Sequence, residues 1–447
     1  MKTYVNIILA CAVLIVANSC STDKKDVVID PKMYHDAVDQ ITDVIVHDIF
    51  SPPVASRIYA YSSIAAFEVE AAHDSTFRSL AGQLHGLTPI PQPTNEVNYD
   101  IAAIQAGLAV GKALIFSEDK LEEFQNNWYK KLDELGVSSN IKNNSTEYGK
   151  TVAKHILAWA DKDNYKQTRT FEKYNVKDEP GRWQPTPPAY IEAIEPHWNE
   201  IRTFIIDSAD QFIPAKPTAF SIKKDEKFFA EVNEVYETGK NLTEEQAEIA
   251  SFWDCNPYVM NVHGHVMFAT KKITPGGHWM GITKIACTKN KSSIAESAEA
   301  YALTAIALAD GFISCWDEKY RSNLIRPETV INTHIDETWK PLLQTPPFPE
   351  YTSGHSVISS AASVALTSLF GENFQFADST ETAFGLPVRS FNSFYQASSE
   401  AAISRLYGGI HYRPAIEEGL RQGRLVGNWV VDHVFTRRRK GADQQAG

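Results

Sequence analysis

The chain has 447 residues, a formal charge of −12, 43% hydrophobic residues and 22% charged ones. This composition excludes a disordered chain, the acidic balance argues against nucleic acid as a partner, and the length suits two or three packing units or one large one. Aromatic residues are plentiful enough for a large core, and any anion site in so acidic a chain must be a local concentration of cations.

At the start, Lys2, an apolar run over 4–17 and the small residues Ala17-Asn18-Ser19 before Cys20 have the layout of an export signal. A cysteine after small residues is the lipoprotein pattern. Cys20 is therefore expected to carry lipid and to begin the mature chain, with 21–30 as a polar tether; plain secretion is the alternative. The expected location is the periplasm or outer membrane, with membrane contact only through that N-terminal lipid. No later segment reaches about 18 apolar residues free of charge. Cys255, Cys287 and Cys315 are an odd set without metal-ligand spacing and read as buried thiols.

The remaining pattern is helical, with period-two alternation almost absent. Ala37, Val38, Ile41, Val44, Ile45 and Ile49 form one helical stripe. Ser51-Pro52 is a cap followed by proline in a first turn. Residues 84–97 read as a loop, and 101–116, 121–135 and 146–161 as helices; 164–197 is loop-rich. Thr243-Glu244-Glu245-Gln246 is a capping box. Further helices are expected over 293–320, 356–369, 398–407 and 415–434. The prediction is an all-α protein with few or no strands: an N-terminal helical layer over 31–218, a C-terminal bundle over 219–436, and a basic flexible tail over 437–447.

Three short segments in the last third carry chemistry. They are Lys319 with Arg326-Pro327, Thr352-Ser353-Gly354-His355, and Ser404-Arg405 with His411. Lys319, Arg326 and Arg405 are three cations, two of them planar forks suited to an oxyanion. Ser353 adds a hydroxyl, and Gly354 allows a backbone N–H at a helix N-terminus to approach an anion. His355 and His411 remain for proton transfer and for nucleophile or ligand duty. Singly, each segment reads as a surface charge, a helix end or a cap; together they describe a pocket for phosphate or vanadate.

This triple motif, spanning Lys319 to Ala415, resembles the signature of vanadium-dependent haloperoxidases and the type 2 phosphatidic acid phosphatases and bacterial acid phosphatases. The likeness is strongest to the bacterial haloperoxidase branch that includes iodide-specific enzymes. Thr352 stands where the family usually has proline. Ala415 stands where phosphatases carry an aspartate thought to orient the nucleophilic histidine, and Glu417 or Glu418 could replace it only by another geometry. The resemblance implies two four-helix bundles around one vanadate per chain. His411 would be the metal ligand, and Lys319, Arg326, Arg405, Ser353 and the Gly354 N–H would neutralise the oxygens. His355 would take the proton of hydrogen peroxide, and Lys319 would polarise the bound oxidant. Trp316, Phe348 and Tyr258 would form the substrate pocket. The implied substrates are halide, iodide foremost, and hydrogen peroxide, with hypohalous acid as product and organic acceptors left open. The rival reading is a phosphatase in which His411 attacks phosphorus and His355 protonates the leaving group. A third reading, a non-catalytic ligand-binding lipoprotein, gives no account of three cations and two histidines in register.

His263, His265 and His278 lack a further ligand at familiar spacing and read as structural. There is no Walker loop, dinucleotide fingerprint or nucleophile elbow.

Overall fold

The computed structural model describes residues 27–257, 259–263 and 266–438. The expected export signal with Cys20, Tyr258, most of the tether and the tail from 439 lie outside the described residues.

Helix α1 (Pro31–His47) begins where the Asp30 carboxylate accepts the Lys32 N–H at 2.9 Å with proline in the first turn. It buries the expected stripe as far as Ile45. Ile49 departs from the expectation: it lies beyond the helix with φ 55°, so the chain has already turned. Ser51 caps α2 (Pro52–His73), which is buried nearly all round. Helices α3 (Tyr99–Leu114), α4 (Glu118–Glu134) and α5 (Ser139–Ala160) pack with α1 and α2 into the first bundle, and α6 (Tyr165–Thr168) is a single turn in the long connection that follows.

Helix α7 (Lys227–Lys240) precedes α8 (Glu244–Phe252), whose Thr243–Gln246 capping box is formed in both directions. Strands β1 (Val259–His263) and β2 (Val266–Thr270) pair antiparallel. Then come α9 (Pro275–Asn290), α10 (Ile294–Ser322), α11 (Pro327–His334), α12 (Gly354–Phe370), the antiparallel pair β3 (Phe376–Asp378) and β4 (Arg389–Phe391), α13 (Phe394–Tyr407) and α14 (Arg413–His433). The fold is mostly helical with few strands, as the periodicity predicts.

Helices α7, α9 and α11 are absent from the sequence reading. Helix α9 opens on Pro275-Gly276-Gly277, residues that local propensity does not favour in a helix. Tertiary packing decides otherwise, because a Cβ on Gly277 would sit 2.8 Å from the Tyr59 hydroxyl and from Ile273. The glycine lets α9 close onto α2.

Helix α10 runs through the centre, packed on α2 from the first bundle and on α12 and α14 of the second. It is long and apolar enough to cross a membrane, yet the apolar stretch is wholly buried, which marks a core helix. Its Asp310 carboxylate accepts the N–H groups of Phe204, Ile205 and Ile206 at 2.7–3.1 Å, tying the connecting segment to the core. Helix α14 crosses α12 on a glycine ridge. A Cβ on Gly419 would meet the Ser353 carbonyl at 3.1 Å, and one on Gly423 would meet the Val357 carbonyl at 2.0 Å. The two backbones touch, and the N-terminus of α12 is thereby held against the start of α14.

The flexible tail was expected from residue 437, and its first residue requires correction. Arg437 bridges to Phe77 and its Nε donates to both oxygens of the buried Glu299 at 2.9 and 3.0 Å.

Candidate active site

The three segments converge between α10, the turn before α12 and the α13–α14 junction. Lys319, Arg326, Ser353, Arg405 and His411 are all at most 2% exposed. Gly354 is buried too, and His355 is half-buried with a buried Nε2.

His411 is oriented by Glu350. Glu350 Oε1 accepts from His411 Nδ1 at 2.8 Å and from the Tyr412 N–H at 2.9 Å. With its proton on Nδ1, the ring presents a lone pair at Nε2, and Arg326 Nη1 lies 3.1 Å from that atom. Arg326 is itself fixed by the carbonyls of Phe348 (Nε, 2.9 Å) and Ile410 (Nη1, 2.8 Å), while its Nη2 is buried without a partner among the described residues. Burial, with Arg326 next in weight, pushes the His411 ring well below the ordinary imidazole range. Burial also raises Glu350 to about 7, against the pull of Arg326.

Arg405 is held from two sides. Its Nε donates to Ser404 Oγ at 2.9 Å and its Nη2 to the Trp253 carbonyl at 2.6 Å. This gives the Ser404-Arg405 pair its physical reason: the serine, anchored on the Ala401 carbonyl, aims the guanidinium. Burial and then Arg405 drive the His355 ring well below the usual value. Among the described residues His355 Nε2 has no partner.

Ser353 is the N-cap of α12. Its Oγ accepts the Ser356 N–H at 3.3 Å, which leaves its hydroxyl hydrogen available as a donor. Gly354 opens the helix, as the sequence implied, and the neighbouring Ser356 Oγ is buried and unpaired. The Ser353 N–H is spent on the Ala415 carbonyl at 3.0 Å. Ala415 therefore serves the site through its backbone.

Lys319 sits where the sequence placed it, but its donors are committed. Nζ donates to the carbonyls of Pro349 (3.0 Å), Glu350 (3.1 Å) and Thr352. Its charge faces the pocket while its hydrogens hold the loop that carries Glu350. The Phe348 ring lies 5.1 Å from both Lys319 Nζ and the Arg326 guanidinium, and 4.9 Å from the Trp316 ring. Trp316 Nε1 donates to the Ile194 carbonyl at 3.2 Å. Tyr258 lies outside the described residues.

Sequence reasoning missed Glu350, Trp253 and Gln422, whose Oε1 accepts from Thr352 Oγ1 at 2.7 Å. Glu350 carried a readable signal: a carboxylate three residues before Ser353, in a turn otherwise built for anions. Neither Glu417 nor Glu418 takes the orienting role. Glu417 is exposed, and Glu418 accepts from the Ala215 N–H and Arg421. The alanine at 415 therefore does not leave the histidine without a carboxylate, and it says nothing against phosphoryl chemistry.

The geometry defines a buried oxyanion site. Arginine forks, a serine cap and a helix N-terminus surround a histidine nitrogen presented by a carboxylate. A family model described as the VCPO second helical-bundle domain matches residues 299–440. The crystal structure of the first bacterial vanadium-dependent iodoperoxidase is 55% identical, with a TM-score of 0.87 over 92% of this chain and 98% of that one. Holo- and apo-type structures of a bacterial vanadium-dependent chloroperoxidase are 17% and 19% identical, each with a TM-score of 0.65 over 86% of this chain, covering 93% and 95% of theirs. These two share the fold. No curated protein matches the chain. The chain belongs to the vanadium-dependent haloperoxidase family.

Proposed function

We propose that the protein oxidises iodide with hydrogen peroxide to the hypohalous acid, using one vanadate per chain. The observation that carries this reading is the Glu350–His411 pair, which leaves Nε2 as a lone-pair donor beside Arg326. The unpaired buried Arg326 Nη2, His355 Nε2 and Ser356 Oγ are the polar atoms an oxyanion such as vanadate would satisfy. Likeness to the iodoperoxidase supports iodide as the halide.

When bound, vanadate supplies a Lewis-acid centre that activates peroxide without changing its own oxidation state. His411 would be its ligand. Arg326, Arg405, Ser353 and the Gly354 N–H would balance its charge in a buried, weakly screened pocket. Lys319 contributes charge and keeps the 349–352 loop in place. His355 is the proton carrier: burial and then Arg405 keep its ring in the neutral, proton-accepting form, and a bound anion would offset part of the cationic repulsion so that the ring could also hold a proton. It would take a proton from hydrogen peroxide and give it up again. Trp316 and Phe348 form the halide side, and Tyr258 belongs to the same proposed pocket. Export with lipid on Cys20 is part of this reading, and incorporation of labelled fatty acid, abolished by Cys20→Ala, tests it.

The deciding experiment is steady-state oxidation of iodide, bromide and chloride by protein made in vanadium-free medium, before and after addition of orthovanadate. p-Nitrophenyl phosphate hydrolysis by the apo form runs alongside. Vanadate-dependent oxidation of iodide alone is expected. Phosphatase activity inhibited by vanadate, with no halide turnover, would overturn the reading.

A further inference from the structure

A second cluster lies outside the oxyanion pocket. Cys255 follows α8, His278 lies in the first turns of α9, and Glu381 stands in the loop after β3. All three are buried, and their ligand atoms converge on one point. Cys255 Sγ is 3.4 Å from His278 Nδ1 and 3.7 Å from Glu381 Oε1, and Nδ1 is 2.9 Å from that same oxygen. A tetrahedral zinc ion, with bonds of about 2.3 Å to sulfur and about 2.0 Å to nitrogen and oxygen, puts neighbouring ligand atoms about 3.3–3.6 Å apart. The two sulfur edges of the observed triangle match a face of that tetrahedron, and the 2.9 Å nitrogen–oxygen edge has the length of a hydrogen bond that an ion would replace.

The far side of the ring completes the pattern. His278 Nε2 lies 2.8 Å from Asp378 Oδ2 and 2.8 Å from Thr380 Oγ1. A carboxylate on the second nitrogen is the arrangement that fixes the ring of a metal-binding histidine and raises its basicity. Access is short: Thr380, in contact with His278, lines a surface cavity of about 540 Å³ with Gly277, Gly281 and Thr382. No sequence motif announces the set, because its members come from three separate segments.

We propose that Cys255, His278 and Glu381 bind a structural divalent cation of the zinc type, with Asp378 as the outer partner and a fourth position left for water. The ion pins the 253–255 segment to α9 and to the loop after β3. That segment matters to the oxyanion site: Trp253 stacks on His278 with ring centroids 4.5 Å apart, and its carbonyl holds Arg405. The inference concerns a site separate from vanadate and does not rest on the halide reading.

The test uses the full chain produced with zinc in the medium, with metals counted by mass spectrometry and vanadium counted separately. One zinc per chain is expected in the wild type and a loss of most of it in Cys255→Ser, with weakened vanadate uptake because the Trp253 carbonyl no longer holds Arg405 as firmly. Replacement by cobalt(II) is expected to give a thiolate charge-transfer band together with tetrahedral visible bands. Cobalt spectra on the wild type decide the matter even where the variant fails to fold. Absence of both stoichiometric zinc and the thiolate band would overturn the proposal and leave His278 as an imidazolium shared between Asp378 and Glu381. Equal zinc in a folded Cys255→Ser variant would also overturn it.

Discussion

Glu350 Oε1 lies 2.8 Å from His411 Nδ1, and the same oxygen accepts the Tyr412 N–H. One buried carboxylate thereby sets both the tautomer and the tilt of the histidine that faces Arg326. Glu350→Ala removes the acceptor. It is expected to weaken vanadate binding about 10–100-fold, measured by vanadium retention on ultrafiltration, while Glu350→Gln, which keeps an acceptor oxygen, recovers most of the loss. Equal loss in the two variants would show that charge rather than orientation is at stake.

Arg326 uses a planar fork: Nε and Nη1 are spent on the Phe348 and Ile410 carbonyls, and Nη2 is left for the anion. Lysine keeps the charge and cannot reproduce the fork. Arg326→Lys is expected to lower oxyanion affinity about 10–100-fold, the equivalent of one lost charged hydrogen bond. Calorimetric titration of the apo protein with tungstate measures it; wild-type affinity in the variant would show that charge alone suffices.

The pH dependence follows from Lys319. Burial lowers its ammonium to about 8. A cation with a lowered value is charged below that pH and neutral above it, so positive charge in the pocket disappears as pH rises through about 8. Tungstate affinity is expected to decline above that point by up to about tenfold per pH unit, the limit for one linked proton. Lys319→Met should flatten the profile. A flat wild-type profile between pH 7 and 9.5 would mean the carbonyl cage of Pro349, Glu350 and Thr352 keeps the proton in place.

The contact between α12 and α14 depends on hydrogen in place of a side chain at 423. A Cβ there would lie 2.0 Å from the Val357 carbonyl, a backbone atom that cannot swing aside. Gly423→Ala is expected to cost about 3 kcal/mol of stability, read as a shift of the urea midpoint. It should also loosen the anion site, because Ser353 caps α12 and His411 lies just before α14. An unshifted midpoint would refute the close packing.

What the amino-acid order alone determined was the helical character and the identity of the charged set. Apolar residues at helical spacing, the Ser51-Pro52 start and the Thr243–Gln246 box are local signals, and local signals are written in neighbouring residues. The cations and histidines of the three segments were legible for the same reason: each segment is contiguous and carries its own turn or cap. Glu350 as the partner of His411, Trp253 as the brace of Arg405, and the meeting of Cys255, His278 and Glu381 were not legible. Those pairs stand 61, 152 and 23 or 126 residues apart. Apart from the carboxylate so near Ser353, nothing local marks them, and they exist only because α12 packs on α14, α8 on α13 and α9 on β3, which brings buried polar groups within hydrogen-bond reach. Burial then removes competing water and leaves each group to be satisfied by whatever the fold puts beside it. The sequence named the chemistry; the packing chose the partners that orient it.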